Sequence, residues 1–324
     1  MICSELLCVL SFPLRVLCGT LFTPLCPLRY SSAVLPLIIE AAINGATPPS
    51  LNPHVPQGTD EIAACARACL DAGAAIVHHH NSEGLLHGRH ASAPYCDAWT
   101  LVRRTHPDAL FYPTMGGGGP HTSIAERYAH IGELADAGVL SMALIDPGSV
   151  NLGPVDAEGL PMPIDLVYQN TFADVRYMVD FCAERGLPVH VSIFEPGFLR
   201  VALAYRAAGR LPHAKIQLYF GGAALPFGLP PTAAGLEAYL AMLTGTDLPW
   251  MVGVLAGDVS STLAEIAIKR GGHVRVGLED YAGSRRPRNE ELVAEIGALA
   301  RRLGRPVATS AEAAHILGVS GKLA

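Results

Sequence analysis

Two short stretches hold side chains whose types and spacing suit one another's chemistry. The first is Val77-His78-His79-His80-Asn81. Side chains alternate along a β-strand, so on a strand His78 and His80 would point the same way and offer two imidazoles to one metal ion, while His79 faces the opposite side. The plain reading of such a pair is a set of satisfied core histidines. Two neighbouring imidazoles turned inward without a partner are costly to bury, which favours the metal. The second stretch is Gly271 to Gly283, GGHVRVGLEDYAG. Read as a strand, it places His273, Arg275, Gly277 and Glu279 on one face and Val274, Val276 and Leu278 on an apolar other face. Glu279 is then the natural third ligand beside His78 and His80, with a position left for substrate. Asp280, at the strand's end, is placed as a general base, and Arg275 as the group that tunes it or holds an anion. The bland alternative is an acidic pair solvated at a rim.

Other residues form a second rank of candidates. Thr114 brings a hydroxyl, and Gly116, Gly117, Gly118 and Gly119 bring a run of backbone amides able to cradle a carboxylate or phosphate, although a flexible turn would use the same glycines. Glu195 closes the run SIFEPG, where either a site role or a helix-start acid fits. Glu40, inside an apolar run, is expected in the lower layers paired with a basic group. Arg285, Arg286 and Arg288 read as surface charge. The remaining histidines, His190, His130, His87 and His121 among them, read as surface or structural.

The elements that must position these groups follow a repeating pattern. From Leu35 onward, eight short aliphatic runs alternate with eight amphipathic helical stretches, starting with Leu37 to Ile43 and ending with His273 to Glu279. Parallel strands need crossovers, and eight strand and helix pairs close a sheet, so the spacing predicts an α/β (β/α)8 TIM barrel over residues 35–324, with an open doubly wound sheet as the other architecture. A short extra helix capped by Ser310 follows. Asp146 to Asn170 is expected to be one long loop serving as a lid or arm. Residues 1–34 hold half of the eight cysteines and are broken by prolines. Lacking an early positive charge, they are expected to be a poorly ordered leader or a mis-assigned start. Their apolar runs fall short of the roughly 20 residues that span a bilayer. With 16% charged residues and a net charge of −6, the chain has no basic face for nucleic acid. The absence of a regular cysteine framework in a chain this long points to reduced thiols and a cytoplasmic location.

Taken together, EAAINGA (Glu40 to Ala46), AGAAIVHHHN (Ala72 to Asn81), PTMGG (Pro113 to Gly117), GGHVRVGLEDYAG and GRPVATSAEAAHILG (Gly304 to Gly318) resemble the β-keto acid cleavage enzymes, from about Leu37 to Val319. The resemblance implies a zinc-dependent, generally homo-oligomeric TIM barrel that converts a β-keto acid and acetyl-CoA into acetoacetate and a new acyl-CoA. It implies His78, His80 and Glu279 as zinc ligands and Arg275 with Asp280 as the catalytic pair. Thr114 would hold the keto acid, and Glu195 would match the family's strand-five glutamate. Two positions depart from the pattern. Thr47 stands where an acid meets a substrate amine, and Leu144 stands in place of a substrate threonine, so a cationic substrate would lose a counter-charge. Two other readings compete. A metal-dependent hydrolase would want imidazoles where Phe194 and Phe220 stand, and a non-catalytic barrel would bind acyl-CoA and metal without turnover.

Overall fold

Eight parallel strands, each buried along nearly its whole length, form the centre of the chain. A computed structural model describes residues 35–83, 88–117 and 122–319. The expected leader (1–34), Gly118, Gly119, His87 and His121 lie outside the described residues. The barrel strands are β1 (Ile39–Ala42), β2 (Ile76–His79), β3 (Leu110–Pro113), β4 (Ala143–Ile145), β7 (Val189–Ile193), β8 (Ala214–Gly221), β9 (Trp250–Leu255) and β10 (His273–Val276). They pair in the order β3-β2-β1-β10-β9-β8-β7-β4. Between the two ends of that order, Ser141 N–H donates to the Phe111 carbonyl at 3.2 Å and Phe111 N–H donates to Ser141 Oγ at 2.8 Å. The ring is thereby nearly closed. Strands buried on both faces read as near-continuous aliphatic runs because helices cover the outside while side chains fill the inside.

Those helices are α1 (Thr59–Asp71), α2 (Ala93–Arg103), α3 (Ile124–Asp136), α4 (Phe172–Glu184), α5 (Pro196–Ala207), α6 (Ala233–Leu243), α7 (Val259–Thr262), α8 (Ala264–Lys269) and α9 (Asn289–Arg302), followed by α10 (Ser310–Leu317). Capping boxes fix several of their starts, as at Ser123 with Glu126 and Thr171 with Asp174. Among the described residues no helix is long and apolar enough to cross a membrane.

Four expectations need correction. The segment 146–170 is not all loop: β5 (Val150–Asn151) and β6 (Val167–Tyr168) pair antiparallel as a small ribbon. One of the eight amphipathic stretches, Ser260 to Lys269, is not a single helix: it is broken at Leu263, where Ser261 and Thr262 hydroxyls bond back to the Asp258 carbonyl and compete with helical bonding. Helix α10 is capped by Thr309 in a capping box with Glu312, not by Ser310. Lastly, β10 stops at Val276 rather than running to Glu279. Gly277 has φ +143°, and a Cβ there would lie 2.0 Å from the Ala42 carbonyl oxygen. Only glycine lets the chain pass this close to β1 and turn. Glu279 and Asp280 are therefore presented by a turn, in which Glu279 N–H donates to the Ala42 carbonyl at 3.1 Å.

Candidate active site

The C-terminal ends of β2 and β10 meet beside β1, and three ligand-type side chains converge there. Asn44, just past β1, brackets His80 by accepting its N–H at 2.8 Å and donating to its carbonyl at 3.0 Å. His78 Nδ1 sits 3.2 Å from the Tyr112 carbonyl. A carbonyl can only accept, so that contact places the proton on Nδ1 and leaves Nε2 bare. Nε2 of His78 and Nε2 of His80 each lie 3.4 Å from a different oxygen of Glu279. The three ligand atoms are within 4.8 Å of one another. Glu279 Oε2 is buried with no hydrogen-bond partner, and burial keeps the His78 ring neutral. Two imidazole nitrogens and an under-satisfied carboxylate around one point fit a divalent ion such as zinc. His79 turns outward as strand alternation requires, and accepts the Trp99 Nε1–H at 2.7 Å.

Behind this cluster lies a buried charge network. Arg275 grips Asp280 through two parallel bonds, Nε to Oδ2 at 2.8 Å and Nη2 to Oδ1 at 2.9 Å. The same guanidinium approaches Glu279 Oε1 at 2.9 Å and Glu40 Oε1 at 3.2 Å. Glu40 also accepts the Tyr112 hydroxyl and pairs with Lys215, so its expected basic partner comes from β8, across the barrel. Burial tends to raise Glu40, but Lys215 and Arg275 overcome it and hold the carboxyl low. Burial pushes Asp280 up to about 6 against the pull of Arg275, with Glu279 and Glu40 adding to the rise. A carboxylate held in a fixed orientation with raised proton affinity is suited to general-base work near neutral pH.

A cavity of about 820 Å³ opens above these groups and is lined by His78, His80, Glu279, Asp280, Thr114 and Thr47. Gly117 also lines it, whereas Gly116 does not; the Gly116 carbonyl accepts Arg127 Nε–H at 2.8 Å. Glu195 does not line it either. It precedes α5 as the N-cap residue, and its Oε1 accepts Gly228 N–H at 2.9 Å, which is a loop-fixing role and not the substrate contact expected. Arg285 is held by both oxygens of Glu295, at 2.7 and 2.9 Å.

The far wall holds Asp146 and Ser192, which the sequence did not single out, His190, which it gave as surface or structural, and Leu144 and Phe194, which it named. Leu144 and Asp146 at the end of β4, and His190, Ser192 and Phe194 along β7, all face the cavity. Each set is spaced by two, the same alternation that singled out His78 and His80. The His190 ring packs tilted against Tyr112, with centroids 4.6 Å apart, and burial together with Lys215 and Arg275 holds it well below the usual histidine range. Asp146 is pushed up by burial, and its Oδ2 accepts the hydroxyl of Tyr168 from the ribbon.

Comparison with known proteins places this geometry in context. A family model described as beta-keto acid cleavage enzyme matches residues 36–319. The chain is 29% identical over 299 residues to a 3-keto-5-aminohexanoate cleavage enzyme of Acetoanaerobium sticklandii, covering 88% of this chain and 98% of that one. It is 28% identical over 299 residues to a 3-oxoadipate:acetyl-CoA acetyltransferase of Cupriavidus necator, covering 88% and 95%. The solved ternary complex of ObcA with C4-CoA adduct and oxalate shares the fold, with a TM-score of 0.61 and 17% identity over 82% of this chain and 68% of that one.

Proposed function

The chain belongs to the beta-keto acid cleavage enzymes, and on that premise we propose that it condenses a β-keto acid with acetyl-CoA and cleaves the product to acetoacetate and a new acyl-CoA. The observation that carries this reading is the adjacency, in one cavity, of the His78, His80 and Glu279 cluster and the carboxylate of Asp280 clamped by Arg275.

His78, His80 and Glu279 would hold zinc, which when bound supplies a Lewis acid for the ketone and carboxylate oxygens of the β-keto acid. Asp280 accepts a proton from C2 of the keto acid on a carboxylate oxygen. Arg275 fixes the plane of that carboxylate, so the base reaches C2 without a search over rotamers. The C2 carbanion forms a bond to the acetyl carbonyl carbon as CoA leaves. The thiolate then adds to the original ketone carbon, and the bond between that carbon and C2 breaks. Its electron pair returns to C2, which takes back the proton held by Asp280, giving acetoacetate. Thr114, which lines the cavity, would donate a hydrogen bond to the substrate. No water is consumed, so the apolar cavity walls serve to keep hydrolysis of the thioester out.

The test is acetoacetate release from acetyl-CoA and β-keto acids by zinc-loaded protein. Asp280→Asn keeps shape and a side-chain oxygen while removing the base, and turnover is expected to fall by roughly 10²–10⁴ with zinc content unchanged. Full activity in that variant would remove Asp280 from the mechanism.

A further inference from the structure

The cavity is asymmetric, and its asymmetry bears on what kind of keto acid it takes. The metal-type cluster and the base belong to β2 and β10. In the strand order, β4 lies four places round from β10, so Leu144 and Asp146 stand on the opposite side of the mouth. A β-keto acid with its two oxo groups at His78, His80 and Glu279 must send its tail away from them, toward β4, β7 and the ribbon.

No accessible charge awaits that tail. Outside the cluster just described, the charged residues lining the cavity among the described residues are Asp146 and Arg285. Arg285 is paired twice with Glu295. Asp146 is 5% exposed and gives one oxygen to Tyr168; its other oxygen has no hydrogen-bond partner but is itself buried in the wall, and burial raises this carboxyl's proton affinity, which disfavours its charged form. His190 is neutral. Even the hydroxyl of Thr47 is engaged, donating to the Leu278 carbonyl at 2.7 Å. Apart from Ser192 and tyrosine rings, the far wall is apolar, with Leu144, Leu152, Phe194 and Leu225 inside, Ile164 between the two ribbon strands and Val167 on the ribbon. Ile164 is 43% and Val167 52% exposed, so apolar surface stays in contact with water until something apolar covers it. An ammonium or carboxylate brought here would lose its hydration with nothing to replace it, whereas each methylene would gain.

Resting on the cleavage reading, we propose that the substrate is a β-keto acid with an uncharged alkyl tail, seated against Leu144, Phe194, the ribbon residue Val167 and Ile164 beside it.

The experiment is calorimetric titration of the zinc-loaded full chain without acetyl-CoA, run beside the acetoacetate assay. The probes are straight-chain β-keto acids of six and eight carbons, and six-carbon analogues carrying a tail ammonium or a terminal carboxylate. Affinity is expected to rise about fourfold per methylene, and both charged analogues should bind at least ~10-fold more weakly than the plain six-carbon acid. Leu144→Ala should lower kcat/KM for the eight-carbon acid by roughly 10-fold, through KM. Tighter binding of either charged analogue, or no binding by any probe, overturns the proposal. The alkyl preference without acetoacetate would uphold the tail assignment and sink the cleavage reading, while acetoacetate from a charged analogue alone would do the reverse.

Discussion

On the β10, β1 and β2 side of the barrel mouth, polar side chains hold one another: Asn44 brackets His80, Arg275 clamps Asp280, and Glu40 joins Arg275 to Lys215 and Tyr112. On the β4 and β7 side, beside Asp146, His190 and Ser192, the wall is mostly leucine and aromatic side chains, finished by a two-stranded ribbon at which Val167 and the neighbouring Ile164 remain partly exposed. The first side holds a few atoms in set directions, as the paired 2.8 and 2.9 Å bonds of Arg275 show. The second offers area without direction. Directional bonds suit a step in which a proton must leave one carbon, and undirected burial suits tails that differ between substrates. In one cavity the reaction and the choice of substrate thus rest on different forces, and substitutions should separate them.

The largest effect is expected where the polar side is most buried. Glu40 has no exposed surface and faces both Lys215 and Arg275. Glu40→Gln leaves two buried cations short of their shared counter-charge, a change that typically costs about 3–5 kcal/mol. Urea unfolding should show a lowered midpoint with an unchanged slope. Turnover should fall too, because Arg275 would be free to leave Asp280. A variant with wild-type stability and activity would show that the network does not hold the reacting side.

A paired glycine test sharpens the contrast next. Gly45 has φ +54°, and a Cβ there would lie 2.2 Å from Glu279 Cγ. Gly45→Ala must push Glu279 away from His78 and His80, and zinc affinity measured against a competing chelator should fall roughly 10–100-fold, as for other changes that disturb ligand orientation. On the opposite wall, a Cβ at Gly153 would meet Ile164 Cδ1 at 2.7 Å. That atom is the far end of a partly exposed side chain that can rotate aside. Gly153→Ala should leave zinc affinity unchanged and alter only KM for the keto acid. Equal losses of zinc from both variants would mean that the two walls are mechanically one.

How far this division can be read from sequence depends on the distance over which each contact acts. Alternation along a strand is local, so His78, His80 and the outward turn of His79 follow from three consecutive residues. Glu279 and Asp280 are legible as chemistry but not as geometry. An unbroken strand to Glu279 looks the same in sequence as a strand ended at Val276 by the approach of Gly277 to Ala42, which belongs to another strand. Glu40 can be assigned a basic partner but not Lys215, because that pairing depends on how the barrel closes. The ribbon of 150–151 with 167–168 is two residues per strand, too short for any periodicity to register. Leu144, Asp146, His190 and Ser192 obey the same alternation as the histidine pair. Leu144 is named only through the resemblance and His190 only as structural, while Asp146 and Ser192 go unread, because neither run carries a pair of ligand-type residues: such a wall is made of residues that also make a core.

The smallest effect at neutral pH is expected from His273, at the lower end of the polar side. Strand alternation puts it on the loaded face with Arg275, and the structure gives it a supporting role, in which Nδ1 accepts the Ile38 N–H at 2.9 Å and ties β10 to β1. Burial, with Arg305 and Lys215 nearby, pushes this imidazole down to about 3, whereas in the unfolded chain it titrates near ~6.5. Between those values the unfolded state binds a proton that the native state refuses, so stability rises with pH there. This contribution is complete above ~6.5 and is lost progressively as pH falls toward ~3, at up to about 1.4 kcal/mol per pH unit. His273→Asn keeps an acceptor for Ile38 and abolishes the titration. At pH ~7 its stability should differ from the parent by no more than about 1 kcal/mol, while its urea midpoint should decline less steeply below pH ~6. Parallel acid limbs in parent and variant would show that His273 carries no proton-linked stability. The strain of acidification on the polar side would then have to come from the residues at the mouth instead of from the strand pairing beneath them.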